Sequence, residues 1–173
     1  MARRIDPYTA AREVLGRLGP GSGSAPAADS GAILDHLGVA VRRIEDRIAL
    51  YRDLLGLGDG SIERVPGEGV RLALLAAGRA RIELLEPLDA GTPVARFLAA
   101  RGEGIHHICF EVRDLDATLA RVASAGVELA GAPGRTGAEG SRIAFLHPRA
   151  TGGVLIELRE SRREAPDGGK EER

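Results

Sequence analysis

The sequence predicts an α+β fold in which two tandem βαβββ modules close into a half-open, cup-shaped barrel. Two observations carry that expectation. LDHLGVAVRRIEDRIALYRDL (Leu34–Leu54) aligns without a gap over IHHICFEVRDLDATLARVASA (Ile105–Ala125), at an offset of 71 residues. RIELLEP (Arg81–Pro87) and LIELRE (Leu155–Glu160) then place Glu83 and Glu157 at the third position of a similar apolar frame. A chain that repeats its first and last strands repeats the unit between them.

Each repeat opens as a strand. His36, Gly38 and Ala40 alternate with Leu37, Val39 and Val41; His107, Cys109 and Glu111 alternate with Ile108, Phe110 and Val112. The larger apolar residues share one parity, so they are expected under a helix while the histidines face the other way. Ile44, Ile48 and Tyr51 in the first copy, and Leu115, Leu119 and Val122 in the second, are spaced i, i+4, i+7 along the helices that follow. Gly56 and Gly126 are placed to end them. The first copy continues with strand candidates at 62–65, 70–75 and 81–85, the second at 127–129, 143–146 and 154–158, separated by Gly- and Pro-rich turns. Between the copies, Thr92, Pro93 and Gly102 bracket VARFLAAR as the N-cap, first-turn proline and C-terminal glycine of a bridging helix at about 92–101. The modules span about 32–88 and 105–160. A βαβββ unit curls into a half-cup, and two side by side make one cup.

Residues 1–31 read as an extension and linker, because GPGSGSAPAADSG (Gly19–Gly31) cannot bury enough apolar surface to hold one conformation. A short helix at Pro7–Leu18 is marginal by itself. Residues 161–173 read as a charged, solvated tail. The balance of 24 Lys+Arg against 25 Asp+Glu argues against a general nucleic-acid binder, which needs clustered cations. Aromatic residues at 3% also leave few stacking platforms for bases. A single cysteine, Cys109, rules out an intrachain disulfide and fits a reducing cytoplasm. Apolar runs such as Leu72–Ala77 fall far short of the ~20 residues of a membrane span.

One histidine and one glutamate per copy, all on strands, give His36, Glu83, His107 and Glu157. A carboxylate in an apolar strand is expensive unless something pairs with it. Imidazole nitrogen with carboxylate oxygen suits a divalent transition ion, and four protein ligands on a six-coordinate ion leave two positions for a bidentate substrate. His106 shares the parity of Ile108 and is expected to be a structural histidine on the helix side. His147, beside Arg149, belongs to a loop.

At these residues the chain resembles a known family. LDHLGVAV, LYRDLLGL, RIELLEP, GTPVARFLAARGEGIHHICFEV, SRIAFLHP and TGGVLIEL are similar to segments of the methylmalonyl-CoA epimerases, within the vicinal-oxygen-chelate (glyoxalase/bleomycin resistance/dioxygenase-like) superfamily. The similarity runs from about Leu34 to Glu160. It implies a metal site of His36, Glu83, His107 and Glu157, holding Co²⁺ or a similar ion such as Mn²⁺, Ni²⁺ or Zn²⁺. It further implies proton abstraction at C2 of an acyl-CoA substrate through an enolate, with Glu157 as one acid/base. A second catalytic glutamate of some relatives falls here on Leu72, so the resemblance breaks at that point, leaving Glu68 and Glu111 as substitutes. Arg142, in SRIAFLHP, matches a basic position of the family, which implies a contact with the acyl carboxylate or a CoA phosphate. A cytoplasmic homodimer is implied by resemblance alone. Competing readings are a glyoxalase I-like isomerase, an extradiol dioxygenase and a metal-free binding module; the last fits poorly with two strand histidines and few aromatics.

Overall fold

A computed structural model describes residues 31–161, apart from 59 and 138–139. The helix anticipated at Pro7–Leu18 and the tail from 162 onward lie outside the described residues. Eight strands make one mixed sheet: β1 (Ile33–Ala40), β2 (Ile62–Val65), β3 (Val70–Ala77), β4 (Ala80–Pro87), β5 (Gly104–Val112), β6 (Arg135–Thr136), β7 (Arg142–Leu146) and β8 (Leu155–Glu160). Their spatial order is β2-β3-β4-β1-β5-β8-β7-β6. The first strands of the two modules, β1 and β5, pair antiparallel at the centre. Each also pairs in parallel with the last strand of its own module, β1 with β4 and β5 with β8. That topology brings the four strands carrying His36, Glu83, His107 and Glu157 side by side.

Among the described residues three α-helices accompany the sheet: α1 (Glu45–Ala49), α2 (Pro93–Arg101) and α3 (Leu115–Ser124). α1 runs on into a wider π-helical turn at Leu50–Leu54. Thr92 and Asp114 are the N-caps of α2 and α3, accepting from the backbone N–H of Ala95 at 3.1 Å and of Ala117 at 2.8 Å. Each module buries its helix against its own strands. Ile44 and Ile48 of the first meet Val41, Ala73, Leu75 and Leu84, while Leu115 of the second meets Val112, Ala144 and Leu158. A third cluster joins Val94 and Leu98 of α2 to Ala40, Val70, Leu72 and Leu85. Full burial of each such side chain contributes about 1.5–3 kcal/mol, so the helices are held by packing rather than by their own short length.

The strand anticipated at 127–129 is a correction. Only Leu129 forms a bridge, to Leu146, before Gly131 at φ 93° turns the chain away. The edge position is taken instead by β6, which pairs with β7 through Arg135 and Thr136.

Candidate metal centre and active site

Four ligand atoms converge where β4, β1, β5 and β8 lie together. His36 Nε2 is 3.0 Å from His107 Nε2 and 3.4 Å from Glu83 Oε2. His107 Nε2 is 3.6 Å from the same Glu83 oxygen and 3.3 Å from Glu157 Oε2. All four residues are buried. Two donors bound about 2.1 Å from one ion stand about 3.0 Å apart at a right angle and about 3.4 Å apart at the tetrahedral angle. The 3.0–3.4 Å separations match such edges, and the ligand atoms of His36, His107 and Glu157 all lie within 4.8 Å of one another, with Glu83 beside the two histidines at 3.4 and 3.6 Å. Two carboxylates and two imidazoles, removed from water, also form the donor set that a divalent cation neutralises. The residues fit such an ion.

Local backbone explains how they come together. The register of β1 against β5 slips twice, between Leu34 and His36 and between Gly38 and Val39. The residues left over are Asp35 on β1 and His106 on β5, each a bulge beside a ligand histidine. Gly38, opposite His107, is required by space: a Cβ there would lie 2.3 Å from His107 Cε1. The imidazole occupies the volume that any other residue would fill.

The bulges aim their side chains at the ligands. His36 Nδ1–H donates to Asp35 Oδ2 at 2.7 Å, which leaves Nε2 as the free lone pair facing the centre. Asp35 in turn accepts from Arg81 Nη2 at 2.6 and 2.8 Å and from Arg159 Nη1 at 3.3 Å, and Arg159 Nε donates to Ser141 Oγ at 3.1 Å. Burial alone would raise the Asp35 carboxyl, but the hydrogen bonds of His36 and Arg81 hold it well below the usual carboxylate range. His107 Nδ1 meets His106 Nδ1 at 3.1 Å, and His106 packs edge-on against Phe97 of α2 with ring centroids 5.1 Å apart. His106 thus lines the cup and not the helix side, because the bulge resets the parity of the strand.

The charges of the site follow. Burial, and then the neighbouring His36 and His106, push His107 well below an ordinary imidazole. Burial also disfavours charged His36, but Asp35, Glu83 and Glu157 outweigh it and raise that residue. Burial raises Glu83. Glu157 is pushed up to about 8 by burial, with the charges of Glu83 and Glu68 adding to it.

The centre opens into a cavity of about 400 Å³. Its apolar wall includes Val70, Leu72, Leu74, Leu85 and Val94, and its polar lining includes Arg81, Arg159, Glu68 and Arg135. Glu68 therefore reaches the cavity. Glu111, in register with Ile33 and Arg159, is not among the lining residues. Arg142 is not either: its guanidinium grips Asp116 of α3 at 2.7 and 3.0 Å and reaches Glu160 at 3.4 Å, on the outer face. Arg142 therefore stands outside the cavity, with its guanidinium engaged by α3. Arg135 lines the cavity, 4.7 Å above the Phe145 ring, and its charge acts on Glu157. His147 Nδ1 accepts from the Arg149 backbone N–H at 3.1 Å and shapes a turn.

Sequence reasoning missed Asp35, His106 as a cavity residue, Arg81, Arg135 and Arg159. The repeat held a signal for the first two, because Asp35 and His106 occupy equivalent positions at the offset of 71.

Comparison with known proteins agrees with this geometry. Residues 35–145 match the Glyoxalase/Bleomycin resistance protein/Dioxygenase superfamily. An ethylmalonyl-CoA/methylmalonyl-CoA epimerase of Cereibacter sphaeroides is 39% identical over 129 residues, covering 73% of this chain and 96% of that protein. The crystal structure of methylmalonyl-CoA epimerase from Mycobacterium tuberculosis superposes with a TM-score of 0.72 at 40% identity, covering 80% of this chain and 93% of that one. A methylmalonyl-CoA epimerase in complex with methylmalonyl-CoA and NH4+ gives a TM-score of 0.71 at 37% identity over 78% of this chain and 99% of the other. With a duplicated βαβββ sheet, a buried His/Glu quartet and relatives of this identity and coverage, the chain belongs to the methylmalonyl-CoA epimerase family of the glyoxalase/bleomycin resistance/dioxygenase superfamily.

Proposed function

We propose that this chain interconverts the (2R) and (2S) epimers of methylmalonyl-CoA by removing the C2 proton and returning one to the opposite face. The observation that carries the reading is the convergence of His36, Glu83, His107 and Glu157, two from each module, on one point at the floor of the cavity. A divalent ion, cobalt-like in this reading, would be held by those four side chains and supply Lewis acidity for the charge that develops on the thioester oxygen.

The chain's own residues do the remainder. The C2 hydrogen lies between a thioester carbonyl and a carboxylate, and its removal needs a base whose pKa is close to the working pH. Glu157, on β8 at the floor of the cavity with its carboxylate 3.3 Å from His107 Nε2, serves one face in this reading. Asp35 fixes the tautomer of His36, and Gly38 makes room for the His107 ring. Arg81, Arg135 and Arg159 are the cationic groups of a cavity that four glutamates also line, and they are the groups an anionic acyl-CoA would meet there. Leu72, Leu74 and Val70 shed water from the reacting carbon. The active form in this reading is a cytoplasmic homodimer, as resemblance implies. Among the described residues no helix is long and apolar enough to cross a membrane.

NMR of the metal-stripped and Co²⁺-loaded protein in D₂O tests this reading. Exchange of the methylmalonyl-CoA C2–H that depends on the metal is the expected result. Turnover of the methylglyoxal–glutathione adduct, with no C2–H exchange, overturns it.

A further inference from the structure

Epimerisation needs a proton acceptor on each face of C2, and the quartet with Glu157 accounts for one. We propose that Glu68 serves the other face, carried on a turn rather than on a strand; this rests on the epimerase reading above.

The β2–β3 turn places Glu68 over the cavity. Glu68 N–H donates to Val65 O, and Gly69 N–H to Pro66 O, both at 3.1 Å. Gly69 holds φ +70°, and a Cβ on it would lie 2.7 Å from Thr92 Cγ2, so the turn is pressed against the N-cap of α2. Its carbonyl also accepts from Leu88 N–H at 2.8 Å, past the end of β4. The backbone of the turn is thus held on both sides, which fixes where the Glu68 side chain leaves the chain. Glu68 Oε1 is buried with no hydrogen-bond partner, alone in this among the described side-chain atoms. A buried acceptor left unpaired costs about 1–3 kcal/mol, more for a charged group, and such an orphan calls for an explanation. A ligand in the cavity supplies one.

Elimination points the same way. Four glutamates line the cavity: Glu63, Glu68, Glu83 and Glu157. Glu83 and Glu157 belong to the quartet, and Glu63 is exposed to solvent. The strand wall behind Glu68 is apolar at Leu72 and Leu74. In the sheet, β4, β1 and β5 separate the β2–β3 end, which carries Glu68, from β8, which carries Glu157. A thioester held over the histidine pair thus has one carboxylate on each flank. In one direction the C2–H bond breaks, its proton passes to a Glu68 carboxylate oxygen, and its electron pair moves into the enolate. Glu157 then delivers a proton to C2 from the other side, and the reverse reaction exchanges the two roles.

Glu68→Gln tests the assignment, because loss of one base of a pair leaves a distinctive trace. Epimerisation in either direction should fall at least about 100-fold, while metal content is unchanged and one epimer still exchanges its C2–H with D₂O at close to the wild-type rate. The melting temperature of the metal-free variant should equal or exceed that of the wild type, since an unpartnered carboxylate has been removed. Epimerisation within threefold of wild type overturns the proposal, as does equal loss of exchange from both epimers with metal retained. A lower melting temperature assigns Glu68 a structural role instead. Absence of metal-dependent exchange in the wild-type protein would sink the epimerase reading itself, a result separable from any of these.

Discussion

Asp35 and His106 occupy the same place in the two modules and do opposite things. Both are bulge residues, both precede a ligand histidine, and both reach its Nδ1, at 2.7 and 3.1 Å. Asp35 presents a carboxylate, itself pinned by two arginines, and His36 is raised towards its charged form. His106 presents a half-buried imidazole, and His107 is driven well below its ordinary value by burial first and then by His36 and His106. Gene-duplication symmetry is thus kept in the ligands and broken one residue away. The lesson is that the two modules share their inner histidines and differ in the group that meets each Nδ1, so one ring has a carboxylate to offset its burial and the other has none.

The largest way to break the comparison is to remove one member of the quartet. His107→Ala and His36→Ala should each abolish metal retention and activity while leaving a folded domain, because the three helix-facing clusters contain neither residue. Metal analysis after gel filtration, with circular dichroism as the fold control, checks this. A metal-loaded, fully active His107→Ala protein would remove that residue from the site.

A second test uses pH. Glu157 sits at about 8 in the folded chain against 4.5 for a free glutamate, so the folded state holds a proton that the unfolded state releases. Its contribution to metal-free stability is present below about pH 4.5 and is lost as pH rises through 8, by a few kcal/mol. His36, also raised, loses its contribution in the same direction above 6.5. His107, lowered, acts oppositely, but only below 6.5, and Asp35 matters only at acid pH. From pH 6.5 to 8.5 the melting temperature of the metal-free protein should therefore fall by roughly 5 °C or more. Added divalent ion should reverse the trend and stabilise most at the alkaline end, where protons no longer compete for the ligands. A flat metal-free profile would contradict the proton inventory of the site.

How much of this was legible beforehand depends on whether the information was local. The repeat at an offset of 71 pointed to the paired strands and helices, Thr92, Pro93 and Gly102 to the bridging helix, and the repeated His and Glu to four residues that the sheet brings side by side, because alternation and capping act over a few residues. The bulges were invisible: strict alternation of GIHHICF assigns His106 to the helix face, and only pairing with a distant strand ejects it onto the other. The engagement of Arg142 was hidden for a similar reason, since its partner Asp116 is brought to it by the docking of α3. Arg81 and Arg159 carry no local signal, because only the parallel pairings of β1 with β4 and of β5 with β8 set them around Asp35. The leftward drift of a three-residue strand candidate at 127–129 into a single bridge depends on a glycine conformation that sequence alone leaves open.

The finest test swaps the second layer while leaving every ligand in place. Asp35→Asn keeps the shape and a hydrogen bond to His36 but removes the charge, so His36 loses basicity, and Arg81 and Arg159 lose their shared anion. Outer-shell changes of this kind cost about 10–100-fold in metal affinity, and competition titration with a chelating dye should find a loss in that range. His106→Gln removes a neutral ring that contacts His107 and Phe97. Because no charge is lost, the expected drop is less than about 10-fold. Equal losses from the two substitutions would mean that the carboxylate and the imidazole hold their histidines by shape alone, and the electrostatic asymmetry between the modules would then have no bearing on the ion.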